Sequence, residues 1–493
     1  YTCLNDVTAR DIQKSDPQWT RGKGFDTFCP TGPYIETEFS PETAEITTLL
    51  NGKIVQHSPV SAMMHGIMAF DENGTLLTPF RTWRNTTSEK AAAELTELLD
   101  FNIPQRWSCA HFYQSVLDKE EYVPRTKKVT TLAGYIHFML SGENAVGIGE
   151  ASGIFPVDMT GYDKNKMKKY ADKIASHGYD NDIYSLFPAV KSAGEKGAYL
   201  TEEGARFLDP TGSLKAGVPL CPPEGDAGTG MVATNSVRAG TGNISAGTSV
   251  FSMLVLSEPL AAVHREIDMV TTPDGYPVAM VHCNSCCTEL DAWVNMFGEF
   301  GALMGCDIDK SELYEKLYRN AMNAAPDCGG AVAYGFMSGE PAANVEKGYP
   351  AYFRSPEHAP TLGEFFRAQL YSSVGALKMG MDILFDTEKV SAQLFTCHGG
   401  LFKVKNAAAQ IIADALDTPA AVMTTAGEGG AWGIALLAAY MMTGNGKKLA
   451  DWLDSTVFGD MEKTVSYPEE KGREGYEKYI AAFRKGLAMY GKE

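Results

Sequence analysis

The sequence predicts an α/β protein of more than one domain, preceded by a short β-rich segment. Three observations carry that reading. From about residue 88 onward, helix-period stretches alternate with short strand-like runs, the pattern of an α/β chain. Two glycine-rich zones, 224–249 and 398–430, interrupt the alternation where backbone would have to turn tightly or approach a ligand. The length, 493 residues, exceeds what one core uses and corresponds to roughly three domains. Apolar residues make up 44% and charged residues 21%, which argues against a largely disordered chain. The net charge of −18 argues against nonspecific nucleic-acid binding, which needs a basic surface. The longest apolar run, Ala431 to Met442, is 12 residues, too short to span a bilayer.

Residues 1–58 read as strands and turns. Thr47 to Val55 is strand, Asn51-Gly52 turn and strand. Near Pro59 the texture changes. Met68-Ala69-Phe70 and Leu76-Leu77 flank a second hairpin turn at Asp71-Glu72-Asn73-Gly74. Ser88 is expected to cap a helix with Ala91, Ala92, Leu95, Leu98 and Leu99 on its apolar face, stopping near Pro104. Asp226, among the glycines of 225–230, reads either as a general base that accepts a hydroxyl proton or as a helix N-cap. Asn243 to Ser249 followed by Val250 to Leu256 reads as strand, Gly-Thr-Ser turn, strand, either a phosphate cradle or a plain hairpin. Gly399-Gly400, ahead of a helix expected over Asn406 to Leu416, is either a platform for a nucleotide base or a strand-to-helix turn. A glycine run at 427–430 opens the apolar helix Trp432 to Met442. Tyr476, Tyr479, Ile480, Phe483, Leu487 and Tyr490 fall at helix spacing and read as core.

The ten cysteines are irregularly spaced, so they form no disulfide framework, and a reduced cytoplasmic protein fits. Cys283 and Cys286 have the C-x-x-C spacing of zinc ligands or a redox pair, but no second such pair exists and buried thiols are the simpler reading. No Walker sequence is present. No signal peptide stands at the front, and the chain opens at Tyr1 on a strand-like segment, as though something before it were missing.

Taken in order, these zones resemble the FGGY carbohydrate kinase family from about Val60 to the C-terminus. The resemblance runs through Ser61 to Gly66, Thr78 to Asn85, Thr131 to Tyr135 and Glu150 to Gly153. It continues through Gly225 to Gly228, Gly247-Thr248-Ser249, Gly399-Gly400 to Asp414, and Glu428 to Ala439. It implies an actin-like, ribonuclease-H-like two-domain ATPase fold, with a sugar-binding first domain over 60–242 and a nucleotide-binding second domain over 243–493. It implies transfer of the γ-phosphoryl of ATP, with Mg²⁺, to a sugar or polyol hydroxyl in a cytoplasmic chain that acts without nucleic acid or membrane and forms a homodimer. On the family pattern Asp226 is the catalytic base. Gly247 and Thr248 lie at the phosphate loop, and Gly399, Gly400 and Asn406 at the adenosine site. His65, Trp83, Arg84 and Asn85 lie on the sugar side.

The family also opens with a strand and an acidic loop of the type D-x-G-T-[ST], which this sequence lacks. Asp71 to Thr75 has the wrong spacing, and Asp209-Pro210-Thr211 carries a proline that would spoil a leading strand. The first domain is therefore expected to be incomplete and turnover impaired. Residues 1–58 instead resemble the fumarylacetoacetate hydrolase family, through Tyr1-Thr2, Asn5 to Gln13, Trp19 to Phe28 and Pro30 to Pro33. That resemblance implies Asp6 as a metal ligand, with Arg10, Gln13 and Lys23 near the metal or substrate. The family's other carboxylate ligands are not present, Glu36 and Glu38 stand off their position, and one Asp does not make a divalent-ion site. No protein-held metal is therefore expected, and the segment, 1–59, is expected to contribute no chemistry. The chain reads as an interior fragment of one enzyme joined to a kinase without its first segment. The alternatives to a sugar kinase are a metal-dependent hydrolase or decarboxylase of the fumarylacetoacetate hydrolase type and a non-catalytic sugar- or nucleotide-binding remnant.

Overall fold

The computed structural model describes residues 46–50, 53–58, 64–306, 308–423 and 429–490. They divide into two compact units. The smaller comprises a hairpin, Phe138–Glu143 and Ala198–Leu220. In the hairpin, β1 (Ile46–Leu50) pairs antiparallel with β2 (Lys53–Ser58), with Leu50 opposite Lys53, as the sequence around Asn51-Gly52 leads one to expect. The larger unit holds the remaining described residues.

A seven-stranded mixed sheet organises the larger unit. Its strands are β11 (Thr241–Ala246), β12 (Val250–Val255), β13 (Ile267–Thr271), β14 (Pro277–Cys283), β17 (Leu394–His398), β18 (Ala420–Met423) and β19 (Lys463–Ser466), in the order β13-β14-β12-β11-β17-β18-β19. β11, β17 and β18 run parallel; the other neighbours are antiparallel. Alternation along the strands explains why they read as nearly continuous apolar runs. Leu254, Ala279, Val281 and Cys283 enter one core with the helices Leu362–Asp382, Ala408–Leu416 and Glu470–Gly486. Met253, Val255, Val278 and Met280 enter another, with Leu436, Leu437 and Trp452. A sheet covered on both faces needs apolar side chains at both phases of its period. Tyr476, Tyr479, Ile480 and Phe483 are buried as expected, while Leu487 and Tyr490 are only partly so.

The part N-terminal to this sheet is built differently. β3 (Met68–Phe70) pairs with β4 (Lys128–Thr130), β5 (Ala145–Gly147) with β8 (Ala189–Lys191), and β6 (Val157–Asp158) with β7 (Gly161–Tyr162). Among the described residues none of these pairs grows beyond two strands. Between β3 and β4 the helix Glu89–Leu99 buries Ala91, Ala92, Leu95 and Leu99. Ser88 precedes this helix but does not cap it, because its hydroxyl donates to the Gln105 carbonyl instead. Asp71 closes a local turn, accepting from the N–H groups of Asn73 and Thr75 at 2.9 Å each. Polar contacts tie this part to the sheet edge. Asn102 donates to the Ile267 carbonyl at 3.0 Å and Arg106 pairs with Asp268. Thr271 donates through its hydroxyl to Ile148 and through its N–H to the Ser152 hydroxyl. No helix among the described residues is long and apolar enough to cross a membrane.

Candidate active site

Asp226 opens the helix Asp226–Ala233, with Gly225 at the cap position. Its carboxylate also reaches beyond its own helix. Oδ1 accepts the Met64 N–H at 3.1 Å, which draws the loop before β3 to the start of this helix. The side chain stays open to solvent in a concave setting. Crowding by the surrounding protein raises its pKa above the ordinary aspartate value, and the Met64 N–H pulls in the opposite direction. An exposed carboxylate held by backbone N–H groups, and paired with no cation among the described residues, suits proton acceptance. Two further carboxyls lie behind it. Glu224 accepts from the N–H groups of Gly149 and Glu150 at 3.1 and 2.7 Å. Burial pushes Glu224 and Glu150 up to about 8 each.

His65 is buried beside this helix start, and its φ is +70°. A side chain on Gly153 would bring a Cβ within 2.6 Å of the His65 Nδ1, so that glycine makes room for the imidazole. Burial, then the charge of Arg106, lowers the His65 pKa well below its ordinary value, leaving a neutral ring at neutral pH. The other three residues expected on the sugar side lie on a separate loop. Arg81 pairs through its backbone with Ile67, and two residues later Trp83 stands exposed with the Arg84 guanidinium 4.9 Å from its ring centre. Asn85 turns onto its own loop, accepting from the N–H and hydroxyl of Thr87. Arg84 and Asn85 line a cavity of about 490 Å³ whose wall does not include Asp226.

At the sheet's β11–β12 turn three of the five expected nucleotide residues converge; Gly399 and Asn406 do not line the same cavity. Gly247, Thr248 and Gly400 line one cavity of about 630 Å³. A Cβ on Gly247 or on Gly400 would meet no atom within 4 Å, and neither glycine has positive φ. These two positions therefore keep space open rather than permit an unusual backbone. The Gly247 N–H donates to the Ser249 carbonyl at 2.8 Å, which leaves exposed Thr248 to offer its own N–H and hydroxyl. Gly399 is different: at φ +104° and ψ −176° its Cβ would lie 2.3 Å from the Ala246 carbonyl oxygen. Asn406 is exposed at φ +63° and precedes the helix, which begins at Ala408, so the expected Asn406 helix start moves two residues on. It is not on the cavity wall, although Lys405 is.

The cavity also recruits residues that no motif marked. Lys310, Ser311, Tyr314 and Tyr318 come from one face of the helix Lys310–Asn323, following the N-cap Asp309. Their signal in the sequence was an Asp cap and an i, i+4, i+8 stripe, indistinguishable from any amphipathic helix. Cys287 and Thr288 come from the start of the helix Cys287–Leu303. Asp6, Arg10, Gln13 and Lys23 lie outside the described residues. Among the described residues no group of three or more His, Cys, Asp or Glu is placed to hold a metal ion.

Comparison with known proteins places this geometry among families. Residues 242–442 match the FGGY family of carbohydrate kinases, C-terminal domain. Residues 1–70 match the fumarylacetoacetate (FAA) hydrolase C-terminal family. The FGGY portion thus contains the β11–β12 turn, the cavity and Gly399-Gly400. Two solved structures share the fold. Xylulose kinase from Lactobacillus acidophilus aligns with a TM-score of 0.68 at 14% identity, over 87% of this chain and 84% of that one. Plasmodium falciparum glycerol kinase with ADP aligns at 0.67 and 13% identity, over 88% and 83%. The fold is accordingly the actin-like ATPase fold that these kinases share. The N-terminal segment has curated relatives of its own. An uncharacterized protein of Archaeoglobus fulgidus is 54% identical over 67 residues, 14% of this chain and 27% of that protein. Oxaloacetate tautomerase YisK of Bacillus subtilis is 41% identical over 70 residues, 14% and 23%. The chain spans about a quarter of the length of the curated relatives it matches.

Proposed function

We propose that this chain transfers the γ-phosphoryl group of ATP to a hydroxyl of a sugar or polyol. The observation that carries the reading is the convergence of Gly247, Thr248 and Gly400 on one cavity of nucleotide size, within the FGGY portion. The sugar side would be the residues before the sheet, 60–242, and the nucleotide side 243–493. Asp226 takes the proton from the attacking hydroxyl. The hydroxyl oxygen forms its bond to the γ-phosphorus as the bond from that phosphorus to the β–γ bridging oxygen breaks, and ADP leaves. Little covalent chemistry is asked of the protein in such a transfer, so positioning and charge neutralisation carry most of it. The cavity suits ATP in this reading: both open glycines face empty space, and on its wall Lys310, Arg319, Lys403 and Lys405 outnumber Asp291 and Glu315. His65, neutral and buried beside Asp226, is the sugar-side residue best placed to orient a hydroxyl; Trp83, Arg84 and Asn85 are assigned a supporting role on the outer loop. The same reading has Mg²⁺ accompany ATP in the cytoplasm, with no group of three or more His, Cys, Asp or Glu placed to hold it among the described residues.

The test is ATP-dependent phosphorylation across ketoses, aldoses, aldonates and polyols, followed by ³¹P NMR. Phosphorylated product from at least one supports the reading, and ATP binding without product from any sinks it. That second outcome is what a binding-only remnant would give, a reading favoured by the missing acidic loop. Cleavage or tautomerisation of an oxo-acid by residues 1–70 would favour the hydrolase alternative.

A further inference from the structure

The C-x-x-C spacing at 283 and 286 draws attention to one cysteine pair, but the structure assembles a different one. Cys283 ends β14 and is fully buried. Cys286 and Cys287 stand next to each other at the start of the helix Cys287–Leu303, Cys286 as its cap residue, and their sulfurs are 3.6 Å apart. Cys286 is buried, while Cys287 is partly exposed and lines the cavity that also contains Gly247, Thr248 and Gly400. Both residues hold the β11–β12 turn through their backbone. The Cys286 N–H donates to the Thr248 carbonyl and the Cys287 N–H to the Gly247 carbonyl, each at 3.0 Å. The bond to Cys287, then burial, pushes the Cys286 thiol well above its ordinary range, and either sulfur can donate to the other.

We propose that Cys286 and Cys287 form a covalent modification site, a vicinal dithiol that a hydroperoxide oxidises to a disulfide across adjacent residues, with release of the nucleotide turn. Cys287 is the residue a small oxidant reaches, through the cavity. Its sulfur attacks one peroxide oxygen, taking OH and releasing an alcohol or water, to give the sulfenic acid. The Cys286 sulfur then attacks the Cys287 sulfur, and its proton leaves with the displaced hydroxide as water. Two thiols lose two electrons and the peroxide is reduced. Adjacent Cα atoms are about 3.8 Å apart, whereas ordinary disulfides span about 4.4–6.8 Å, so the ring closes only if the backbone at 286–287 shifts. That backbone carries the two N–H groups that anchor Gly247 and Thr248. The same strain makes the bond easy to reduce, hence reversible.

The consequence for nucleotide binding rests on the proposed ATP site; formation of the disulfide does not. The experiment treats the full chain with hydrogen peroxide and examines by mass spectrometry the peptide carrying residues 283, 286 and 287. ATP affinity is measured by calorimetry before oxidation, after it, and after dithiothreitol. The peptide should lose the mass of two hydrogen atoms in the unaltered chain and in Cys283→Ala, but not in Cys286→Ser or Cys287→Ser. Losing both anchoring bonds should weaken ATP binding by about tenfold or more, and reduction should restore it. A peptide that stays reduced, or gains oxygen without losing hydrogen, overturns the site. Disulfide formation with unchanged ATP affinity overturns its coupling to the turn. Disulfide formation in a chain that binds no ATP even when reduced supports the thiol site and contradicts the nucleotide reading instead.

Discussion

Gly399→Ala tests whether the turn after β17 is built as described. At φ +104° and ψ −176°, Gly399 occupies a region open essentially only to glycine, and a side chain there costs about 1–3 kcal/mol from backbone strain alone. Its Cβ would also stand 2.3 Å from the Ala246 oxygen and 2.9 Å from the Ala246 carbonyl carbon, against an ordinary contact of 3.4 Å or more. Ala246 is the last residue of β11, and its neighbour Ser245 pairs with His398 in the parallel β11–β17 ladder. The obstruction is therefore backbone of a central strand, which cannot rotate away as a side chain would. Adding the two effects gives a loss of about 2–4 kcal/mol. Gly400→Ala is the matched control: no atom lies within 4 Å of its Cβ, and its φ is not positive. It should change stability by no more than about 0.5 kcal/mol. Urea unfolding of both variants, with midpoints compared at constant slope, provides the measurement. Because Gly400 lines the cavity, Gly400→Ala should nevertheless weaken ATP binding. Equal midpoints for the two variants would refute the geometry assigned to Gly399.

Further outcomes follow from the same site. Asp226→Asn keeps an oxygen for the Met64 N–H and should fold normally, yet lose about 10²–10⁴ in kcat with nucleotide binding intact; normal turnover would remove Asp226 as the base. Gly247→Val projects into the open cavity without backbone strain, so calorimetry should show ATP binding falling about tenfold or more while sugar binding holds; parallel losses would mean misfolding instead. Glu150 keeps its proton to about pH 8 when folded and to about 4.5 when unfolded. Its contribution is thus complete below pH 4.5 and is lost as pH rises toward 8, because the folded chain binds the extra proton in that window. Glu150→Gln should flatten the fall in unfolding free energy between pH 5 and 8 by up to about 1.4 kcal/mol per pH unit; identical slopes for variant and parent would contradict the assigned burial.

Much of the second half was legible because its local rules and its packing agree. Asn243 to Leu256 reads as strand, small-residue turn and strand, and the structure forms β11, turn and β12 there. The C-terminal aromatic stripe buries as its spacing demands. Asp226 carried two readings, base or cap, and its oxygen also goes to Met64, a partner no local pattern reveals. Ser88 misled for a related reason, since its hydroxyl finds a distant carbonyl in place of its own helix. Cys283 and Cys286 have a suggestive spacing, but Cys283 lies on a strand end turned into the core, so the chemistry falls to the adjacent pair. The cavity face of the helix Lys310–Asn323 was unreadable because exposed Lys, Ser and Tyr at helical spacing look alike on a ligand wall and on a solvated surface.

The most direct measurement of the central claim is phosphoryl transfer by two chains side by side: this one, and one in which residues 1–58 are replaced by the opening segment of a complete FGGY kinase. Each is assayed for ATP-dependent phosphorylation of the sugar, sugar-acid and polyol panel. The acidic opening loop absent here would supply several preorganised phosphate contacts, and losing one such donor costs about 10²–10³ in rate. The account predicts that the repaired chain phosphorylates at least one member of the panel, that Asp226→Asn abolishes this, and that the present chain is slower by about 10²-fold or more. Equal rates from the two chains would contradict the role given to the missing loop, and no phosphorylated product from either would contradict the kinase assignment itself.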